Sequence, residues 1–442
     1  MHRFVDTVII GGGVIGCAIA YYLSRQGRTV EVIERGEIGS QASGAAAGLL
    51  APLGPLSGPG PFADLLLAGF ALWPSTAAEL QEASGLHLGY EQTGALRIVR
   101  NPKRIPHLKK RFANWQSLGL QMHWLDGDEA RQIEPGLTPE VSAAIYAPEE
   151  AQIQAQQVVQ AYAQAAQRLG AMLHTHTEVT GIEQSHNRVT AVCVTPAASP
   201  GRKNPDKNVF GNLEGGEFQT GPSTSKPPTR EVSTSGMSEP VETSLVGGFP
   251  GANESIACEH LVLATGAWAA QADEWFHLQL PVRPLRGQML ALPQPQPSLR
   301  TIVFGDAAYL IPRGTRILVG ATKEESGFEV RTTIEGQRWL QSTATRLVPI
   351  LQSQQPIMTW AGLRPHTPDA HPIIGSAPGW ENLFLAIGHA SVGVLLSALT
   401  GQAIAELIAS GQLPELIRPF TLERFASTQK AANQENMLPG SR

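Results

Sequence analysis

Three glycines near the start of the chain have the spacing of a dinucleotide phosphate site. Gly11, Gly13 and Gly16 follow the apolar run Thr7–Ile10 and precede the apolar stretch Val14–Leu23. In this pattern the first glycine makes the tight turn, the second lets the backbone approach a pyrophosphate, and the third lets helix and strand pack closely. The N–H groups that open the following helix would bind the phosphates. We therefore expect a dinucleotide ligand.

An acidic residue completes the same unit. The second apolar strand, Thr29–Ile33, ends at Glu34, whose carboxylate can accept hydrogen bonds from a ribose diol. A glycine-rich turn on its own is weak evidence, because such turns also occur for structural reasons alone. The strand, turn, helix, second strand and acid in this order make the prediction specific.

The composition limits which classes of protein fit. The chain has 442 residues, enough for more than one hydrophobic core, and its net charge of −5 gives no basic face for nucleic acid. The cysteines Cys17, Cys193 and Cys258 form neither a disulfide framework nor a metal-ligand pattern, so we predict no metal and a reducing, cytoplasmic location. We find no signal peptide and no segment as long as a membrane span, and expect no integral membrane segment.

Hydrophobic periodicity predicts the elements beyond the first unit. Helices are expected at about 62–84, 103–118, 154–170, 331–347 and 392–410, and strands at 86–100, 178–183, 188–195, 261–263, 281–292, 301–320 and 383–386. The helix at 103–118 is basic and amphipathic, and we interpret its charged side as a solvated face.

One segment, residues 196–255, departs from these patterns. It is rich in Gly, Pro, Ser and Thr and has no apolar period. Such a composition buries too little apolar surface to offset the entropy of ordering the chain. We interpret the segment as a disordered insertion at the tip of a hairpin.

Two further glycine-containing turns lie far from the first. One is the small-residue turn Ala264–Trp268 after an apolar strand, and the other contains Gly388 and Gly393 before the last helix. An NAD-binding domain usually completes its site within one contiguous block. Pieces spread over the whole chain favour a longer dinucleotide, and we predict FAD.

Several segments together resemble the D-amino acid oxidase superfamily of flavoproteins and, within it, the glycine oxidases of thiamin thiazole synthesis. The shared segments are IIGGGVIGCAIAYYL, SGAAAGLL, VLATGAW, YLIPRGTRILVGAT, WAGLRPHTPDAHPIIG and GH…GVLL…TG, and they cover nearly the whole chain outside 196–255. The resemblance implies an α/β fold in which a Rossmann-like FAD-binding domain, of the glutathione-reductase type, is interleaved with an α+β substrate domain carrying an antiparallel sheet.

That resemblance also implies a division of the chain. The FAD-binding domain would comprise residues 1–85, 151–275 and 356–425, and the substrate domain 86–150 and 276–355. Residues 426–442 would form a flexible tail.

The resemblance further implies which residues hold the FAD. The loop Ala45–Gly48 would lie beside the isoalloxazine ring, the backbone of Val179 would hold the adenine, and the turn Gly388–Leu395 would supply N–H groups to the pyrimidine end of the flavin. An ordinary flexible loop is the competing interpretation of Ala45–Gly48. The complete predicted set is Gly11, Gly13, Val14, Ile15, Gly16, Glu34, Arg35, Ser43, Ala45, Ala46, Ala47, Gly48, Val179, Ala264, Thr265, Gly266, Trp268, Gly388, His389, Gly393, Val394 and Leu395.

Two residues match the family's substrate-binding residues. An arginine fork suits a carboxylate because it binds both oxygens and stays charged. Arg364 in WAGLRP matches the carboxylate-binding arginine, and Tyr309 in YLIPR matches the tyrosine that assists it. A surface arginine and a core tyrosine are the competing interpretations. Arg313 is ambiguous and could pair across the sheet, and His389 could orient the cofactor.

The chain also departs from the family. Glycine oxidases often have an arginine in the GH…G segment, where this chain has Ala390–Val392, and an apolar residue after GAT, where it has Lys323. Both positions bear on the substrate pocket and leave the substrate open. Monomeric sarcosine oxidases attach flavin through a cysteine just ahead of the TPD segment, which Ala361–Arg364 lacks, so we expect noncovalent FAD.

The expected activity is FAD-dependent oxidation of glycine, sarcosine or another small amino acid to an imine and then a 2-oxo acid, with O₂ reduced to H₂O₂. An alternative is a D-amino acid or 2-hydroxy acid dehydrogenase with a quinone acceptor, which would need an apolar membrane-facing element. A non-catalytic flavin subunit of a larger assembly is a third interpretation, against which Tyr309 and Arg364 argue. A homo-oligomer is left open.

Overall fold

A computed structural model describes residues 4–197 and 254–426. The strands in these ranges, numbered β1 to β18 in chain order, are Phe4–Ile10, Val30–Ile33, Leu49–Leu50, Ala95–Val99, His123–Asp126, Ala143–Ala147, Ala151–Gln152, Met172–His174, Thr177–Ser185, Arg188–Pro196, Glu254–Leu263, Arg283–Pro293, Ile302–Gly305, Ala308–Arg313, Arg316–Gly320, Met358–His366, Ile373–Ser376 and Leu383–Ile387.

The α-helices of the same ranges, numbered α1 to α10, are Val14–Arg25, Ala42–Ala45, Pro61–Ala71, Trp73–Ser84, Ile105–Gln116, Gly127–Ile133, Ala155–Arg168, Asp273–Phe276, Ile334–Leu347 and Gly393–Ser410. Short 3₁₀ helices are Pro102–Arg104, Gly266–Ala272, Pro349–Ser353, Arg418–Phe420 and Leu422–Phe425.

The first sheet brings the distant glycine turns together. Its central order is β17-β18-β11-β1-β2-β8, and β10 and β9 extend from β11. Strand β1 is parallel to both β2 and β11, and β11 is parallel to β18. Because parallel strands end at the same edge of a sheet, the turns after Ile10, Leu263 and Ile387 meet there with the end of β2. Val8 and Ile9, which point to opposite faces of β1, are both fully buried. Both faces of this strand are therefore covered, which explains why its sequence ends in a continuous apolar run.

Helices α1, α7 and α10 form the largest core with this sheet. They approach closely where small residues allow it: a Cβ on Gly401 of α10 would lie 2.6 Å from a ring carbon of Tyr22 on α1. The indole of Trp73 donates to the carbonyl of Leu395 at 2.9 Å, which joins α4 to the start of α10.

Helix α10 corrects one expectation. By length and composition Gly393–Ser410 could cross a membrane, so the prediction that no segment reaches that length was wrong. In the part of the chain that the structure describes, it is the one such helix, and 67% of it is buried inside the fold. Burial on several sides explains an apolar character that extends around the helix.

The second sheet has the order β16-β12-β15-β14-β13-β4-β6-β5. Its pairs are antiparallel except for β13 with β4, which are parallel. Helix α9 covers one face through Leu340, Ala344 and Leu347. The predicted fold class, an α/β domain interleaved with one that carries an antiparallel sheet, is confirmed.

The domain limits remain a proposal, with one change. Strand β16 pairs along its whole length with β12, from Met358 opposite Ala291 to His366 opposite Arg283. We therefore place the last change of domain after His366 rather than at residue 355.

Other elements were only partly predicted. The helix expected at 62–84 is two helices that meet at Leu72, because Pro74 in the first turn of α4 lacks the N–H that a continuous helix needs. The expected strand at 86–100 is confined to Ala95–Val99, and 301–320 contains three strands. Elements β5, α6, β6, β16 and β17 were missed, being short or without clear periodicity.

The hairpin predicted around the insertion is confirmed at its base. Strand β10 pairs antiparallel with β11, and Val194 lies opposite Glu254. The insertion lies almost entirely outside the described residues, and so does the predicted tail 426–442 beyond its first residue.

Candidate functional site

A cavity of about 510 Å³ opens at the carboxyl ends of β1, β2 and β11. It is lined by the glycine turn, by Glu34 and Arg35 after β2, by Val179 on β9 and by the turn Ala264–Trp268 after β11. Sequence segments separated by more than two hundred positions thus form one wall, because their strands are neighbours in the sheet.

The glycine turn is required by close packing. Gly11 has φ +112°, and a Cβ there would lie 2.4 Å from the carbonyl oxygen of Ala264. A Cβ on Gly16 would lie 1.9 Å from the carbonyl oxygen of Gly11. At Gly13, in contrast, a Cβ would meet only the hydroxyl of Ser43, at 3.3 Å. Gly13 faces the cavity, so its missing side chain leaves the backbone open to a phosphate.

Glu34 is held in place by backbone donors. One carboxylate oxygen accepts from the N–H of Gly12 at 2.8 Å, and the other accepts from the N–H of Gly36 at 2.7 Å. A carboxylate has lone pairs beyond these two bonds, so it can still accept from a ribose diol. The geometry fits the role that was predicted from its place after β2.

The rim of this cavity carries an aromatic and cationic group. The guanidinium of Arg35 lies 5.3 Å from the centre of the Trp268 ring, which stacks on Phe328 at 5.5 Å between ring centres. Arg35 is also 3.7 Å from Glu178. Phe328 was missed by sequence reasoning, because it comes from the second domain and only the fold brings it to this rim.

A buried hydroxyl in the wall supports a polar ligand. Thr265 Oγ1 has no hydrogen-bond partner among the described residues, although it is buried. Thr265 lines the first cavity, and an unsatisfied buried hydroxyl costs free energy unless a ligand binds it. Together with the open backbone at Gly13, this fits the predicted dinucleotide.

A second cavity of about 600 Å³ continues from the first. The two share five lining residues: Gly13, Ala42, Ser43, Ala264 and Gly266. The shared stretch is the amino end of α1, where Val14 N–H donates to Ser43 Oγ at 2.9 Å. An extended dinucleotide can therefore lie across both cavities with its phosphates at the helix start.

The small-residue loop forms one wall of the second cavity. Ala45, Ala46, Ala47 and Gly48 all line it. The indole of Trp360 donates to the carbonyl of Ala45 at 3.1 Å, and the guanidinium of Arg313 donates to that of Ala47 at 3.0 Å. These two anchors do not fit the interpretation of an ordinary flexible loop.

Arg313 is a structural residue that holds the loop in place. Its guanidinium also donates to Gln152 Oε1 at 2.9 Å and to the carbonyl of Ile153 at 3.2 Å. Burial lowers its pKa to about 10, which leaves it charged at neutral pH. It connects β14 to the loop through backbone carbonyls, not through a salt bridge across the sheet.

The opposite wall is the turn between β18 and α10. Gly388, His389, Gly393, Val394 and Leu395 all line the second cavity. The ring of His389 is almost fully buried, with Nε2 3.1 Å from Thr400 Oγ1. Burial lowers the pKa of His389 to about 3, so the imidazole is neutral. A neutral ring bonded to α10 supports the turn rather than supplying charge.

Arg364 and Tyr309 face the same cavity from the second sheet. Arg364 donates to the carbonyl of Thr322 at 3.0 Å, and a Cβ on Gly287 would lie 2.3 Å from its guanidinium. Glycine at this position therefore makes room for the arginine head. Burial raises the pKa of the Tyr309 hydroxyl, and Arg364 opposes that rise, so Tyr309 is protonated and close to Arg364. This position does not fit the interpretation of Arg364 as a surface arginine. Tyr309 also packs against a hydrophobic cluster that includes Met289 and Ile311, so its role at the substrate stays a prediction.

Four basic side chains were missed at this cavity. Sequence reasoning interpreted the first turns of α5 as a solvated basic face, yet part of that face borders the cavity. The four residues are Arg97, Arg104, His107 and Arg111. Lys323, whose position was predicted to bear on the substrate pocket, also lines the cavity. His366 and His371 do not line either cavity, and His371 stacks on Phe62 at 4.0 Å between ring centres.

Comparison with known proteins agrees with this geometry. The family model "DAO: FAD dependent oxidoreductase" matches residues 6–207 and 236–407. Glycine oxidase of Geobacillus kaustophilus (strain HTA426) is 32% identical over 426 residues, which cover 96% of this chain and 97% of that protein. A crystal structure of glycine oxidase from Geobacillus kaustophilus superposes with a TM-score of 0.79 at 30% identity, covering 96% of this chain and 99% of the other.

A second relative is a larger protein. The bifunctional protein ThiO/ThiG of Synechocystis sp. (strain ATCC 27184 / PCC 6803 / Kazusa) is 32% identical over 435 residues, which cover 97% of this chain but 55% of that protein.

Proposed function

Given that this chain belongs to the DAO family of FAD-dependent oxidoreductases, we propose that it oxidises a small amino acid to the imine with O₂ as electron acceptor. The imine would hydrolyse to a 2-oxo acid and ammonia or an amine. One observation carries the proposal: Arg364 and Tyr309 face a cavity that continues, past the amino end of α1, into the dinucleotide cavity. The 32% identical glycine oxidase supports the choice of substrate class.

The described residues suggest how substrate and cofactor would be held. Bound FAD supplies the two-electron acceptor for oxidation of the amine, and its reoxidation by O₂ yields H₂O₂. Gly13 and the start of α1 would bind the pyrophosphate, Glu34 the ribose, and the loop Ala45–Gly48 with the turn at Gly388 the two sides of the flavin. FAD would be bound noncovalently.

Arg364 would bind the substrate carboxylate, since no carboxylate among the described residues pairs with its fork, which donates to the carbonyl of Thr322 and interacts with the Tyr309 hydroxyl. Tyr309 would donate its hydroxyl to the same carboxylate, because its raised pKa keeps the proton on. Two contacts to one carboxylate fix the orientation of the Cα–H bond, which is the main contribution protein residues make when a cofactor performs the redox step.

Supply of the imine to thiamin thiazole synthesis is part of the proposal. The similarity to a bifunctional ThiO/ThiG protein supports it, because this chain matches just over half of that protein.

A peroxide assay of the purified holoprotein tests the proposal. We expect H₂O₂ and a 2-oxo acid with at least one of glycine, sarcosine, D-alanine and D-proline. The amino acid that gives peroxide should also bleach the flavin when it is mixed with the holoprotein without oxygen. Bleaching without peroxide, but with turnover on an added quinone, would favour the dehydrogenase alternative. No bleaching by any of the amino acids would favour a non-catalytic flavin subunit.

A further inference from the structure

We propose that the preferred substrate carries a second carboxylate, which binds the basic side of the second cavity at Lys323 and Arg104. This inference rests on the proposed function, since it assigns Arg364 to the first carboxylate.

The charges that line the cavity are strongly unequal. The lysine and arginine residues are Arg97, Arg104, Arg111, Lys323 and Arg364, whereas Asp306 is the single acidic residue among the lining residues that the structure describes. The carboxylate of Asp306 is already bound by Arg100 at 2.8 Å and by Arg346 at 3.2 Å. The cavity wall therefore carries positive charge that no acidic lining residue offsets.

Two of the basic residues are committed to the fold. Arg97 forms two hydrogen bonds with Glu150, at 2.6 and 2.8 Å, and both side chains are buried. Arg111 contacts the carbonyls of Leu53, Gly54 and Leu56 and lies 4.3 Å from the centre of the Trp115 ring. The charge of Arg97 is therefore paired with an acid, whereas one amino group of Arg111 is held by backbone carbonyls and its charge is not paired with an acid among the described residues.

Lys323 and Arg104 differ from these two. Both are exposed at the cavity, and the structure gives neither side chain an ion pair or hydrogen bond among the described residues. The acids that follow Lys323 are directed elsewhere: Glu324 binds Arg286 and Glu325 binds Arg283. His107, one turn along α5 from Arg104, adds a further N–H donor in either tautomer.

The location of Lys323 connects this group to the first carboxylate site. Lys323 follows Thr322 directly, and the carbonyl of Thr322 accepts from Arg364. A small molecule held at Arg364 by one carboxylate therefore lies near Lys323, and Arg104 borders the same cavity. A concave wall of one sign favours a ligand of the opposite charge. A substrate with a single carboxylate would leave these cations unused.

Ligand binding to the holoprotein tests the inference with two thioethers that cannot be oxidised as amines. Thiodiacetate has two carboxylates, and methylthioacetate is its analogue with a methyl group in place of one arm. We expect calorimetry to give a roughly tenfold lower Kd for thiodiacetate, with a preference that decreases as ionic strength rises. In the Lys323→Gln/Arg104→Gln double variant, the ratio of the methylthioacetate Kd to the thiodiacetate Kd should fall. It should reach the statistical factor that follows from thiodiacetate having two equivalent carboxylates.

Lys110→Gln is the matched control, because Lys110 is exposed on the same helix as His107 but does not line the cavity. It should keep the wild-type ratio. The preference for turnover of iminodiacetate over sarcosine should change among the wild type, the double variant and the control in the same way as the ratio of the thioether Kd values. Equal Kd values for the two thioethers, with methylthioacetate still bound and sarcosine still oxidised, would overturn the inference and leave the proposed function intact. Failure of both thioethers to bind, with no amino acid oxidised, would instead remove the proposed function.

Discussion

At the scale of single residues, the proposed substrate site depends on one arginine whose position is set by its neighbours. Arg364 extends from β16, donates to the carbonyl of Thr322 and passes over Gly287 on the adjacent strand. The bond to a carbonyl leaves the positive charge available for a carboxylate. Each of these features can be changed separately.

We expect Arg364→Ala to raise the Kd for substrate strongly and to slow flavin reduction, because the lost fork both binds and orients the carboxylate. The loss should be about 2–4 kcal/mol in transition-state stabilisation, as for a charge-assisted pair. Arg364→Lys should recover part of it, since a point charge cannot reproduce the fork. Stopped-flow reduction across substrate concentrations measures both effects. Normal saturation and normal reduction in Arg364→Ala would contradict the assignment, and FAD content serves as the control.

Gly287→Ala tests the position of the arginine without removing it. The new Cβ would lie 2.3–2.5 Å from the guanidinium, so the side chain must move. We expect a raised KM for the amino acid with unchanged FAD content. A KM equal to that of the wild type would show that the guanidinium does not need to lie against β12.

His389 gives a prediction about pH. Its pKa is lowered to about 3 in the folded chain by burial, so between that value and its unfolded pKa of about 6.5 only the unfolded state binds the proton. Stability therefore falls as pH decreases through this window. We expect the wild type to lose about 2 kcal/mol more than His389→Gln between pH 7 and pH 5. Urea unfolding at several pH values measures this difference, and parallel pH profiles for the two proteins would contradict it.

At the scale of elements, parallel pairing concentrates the site at one edge of the first sheet. The ends of β1, β2, β11 and β18 supply the glycine turn, the acid, the small-residue turn and the Gly388 turn. The antiparallel hairpin of β10 and β11 extends from this sheet, with Val194 opposite Glu254 at the end that faces the insertion. The insertion joins β10 and β11 at one end of the hairpin. The small-residue turn begins after Leu263, at the other end of β11.

Replacing residues 198–253 with a short glycine–serine linker should leave FAD content and turnover close to those of the full chain. The physical reason is that β10 and β11 are antiparallel neighbours, which a short turn can join. Flavin absorbance, turnover and melting temperature of the two proteins are the measurements. A large drop in melting temperature or loss of FAD would show that these residues contribute to the fold.

At the scale of the whole molecule, the second cavity lies between the two sheets. The loop Ala45–Gly48 and the turn at Gly388 come from the side of the first sheet, whereas Met289, Tyr309 and Arg364 come from the second. Trp360 of the second sheet donates to Ala45 across this boundary. A ligand that fills the cavity therefore contacts both domains and stabilises them together.

Removal of FAD should lower the melting temperature, and addition of FAD should restore it. A ligand that binds only the folded chain adds about 2.7 kcal/mol at a free concentration of about 100 times its Kd. Calorimetry of holoprotein, apoprotein and reconstituted protein measures the shift. In the same preparation, acid precipitation should release yellow FAD into the supernatant; flavin that stays in the pellet would contradict noncovalent binding.

The sequence by itself determined the dinucleotide half of this protein. Gly11, Gly16 and Glu34 lie within one βαβ unit, where turn geometry, helix start and strand end follow from local spacing. The roles predicted for Arg364 and Tyr309 came from a resemblance over nearly the whole chain, and periodicity alone would not have found them. Short elements such as β5 and β6 carry too few residues for a period to show.

Only the tertiary structure decided which distant residues share a wall. Phe328 reaches the Trp268 ring, Arg313 anchors the loop Ala45–Gly48, and Arg104 and Lys323 border one cavity, because strand order and not sequence order sets their neighbours. Sequence predicted a solvated face for the start of α5, since a charged helix surface looks the same whether it meets water or a cavity mouth. Burial and ion pairing distinguish the two, and both are properties of the folded chain.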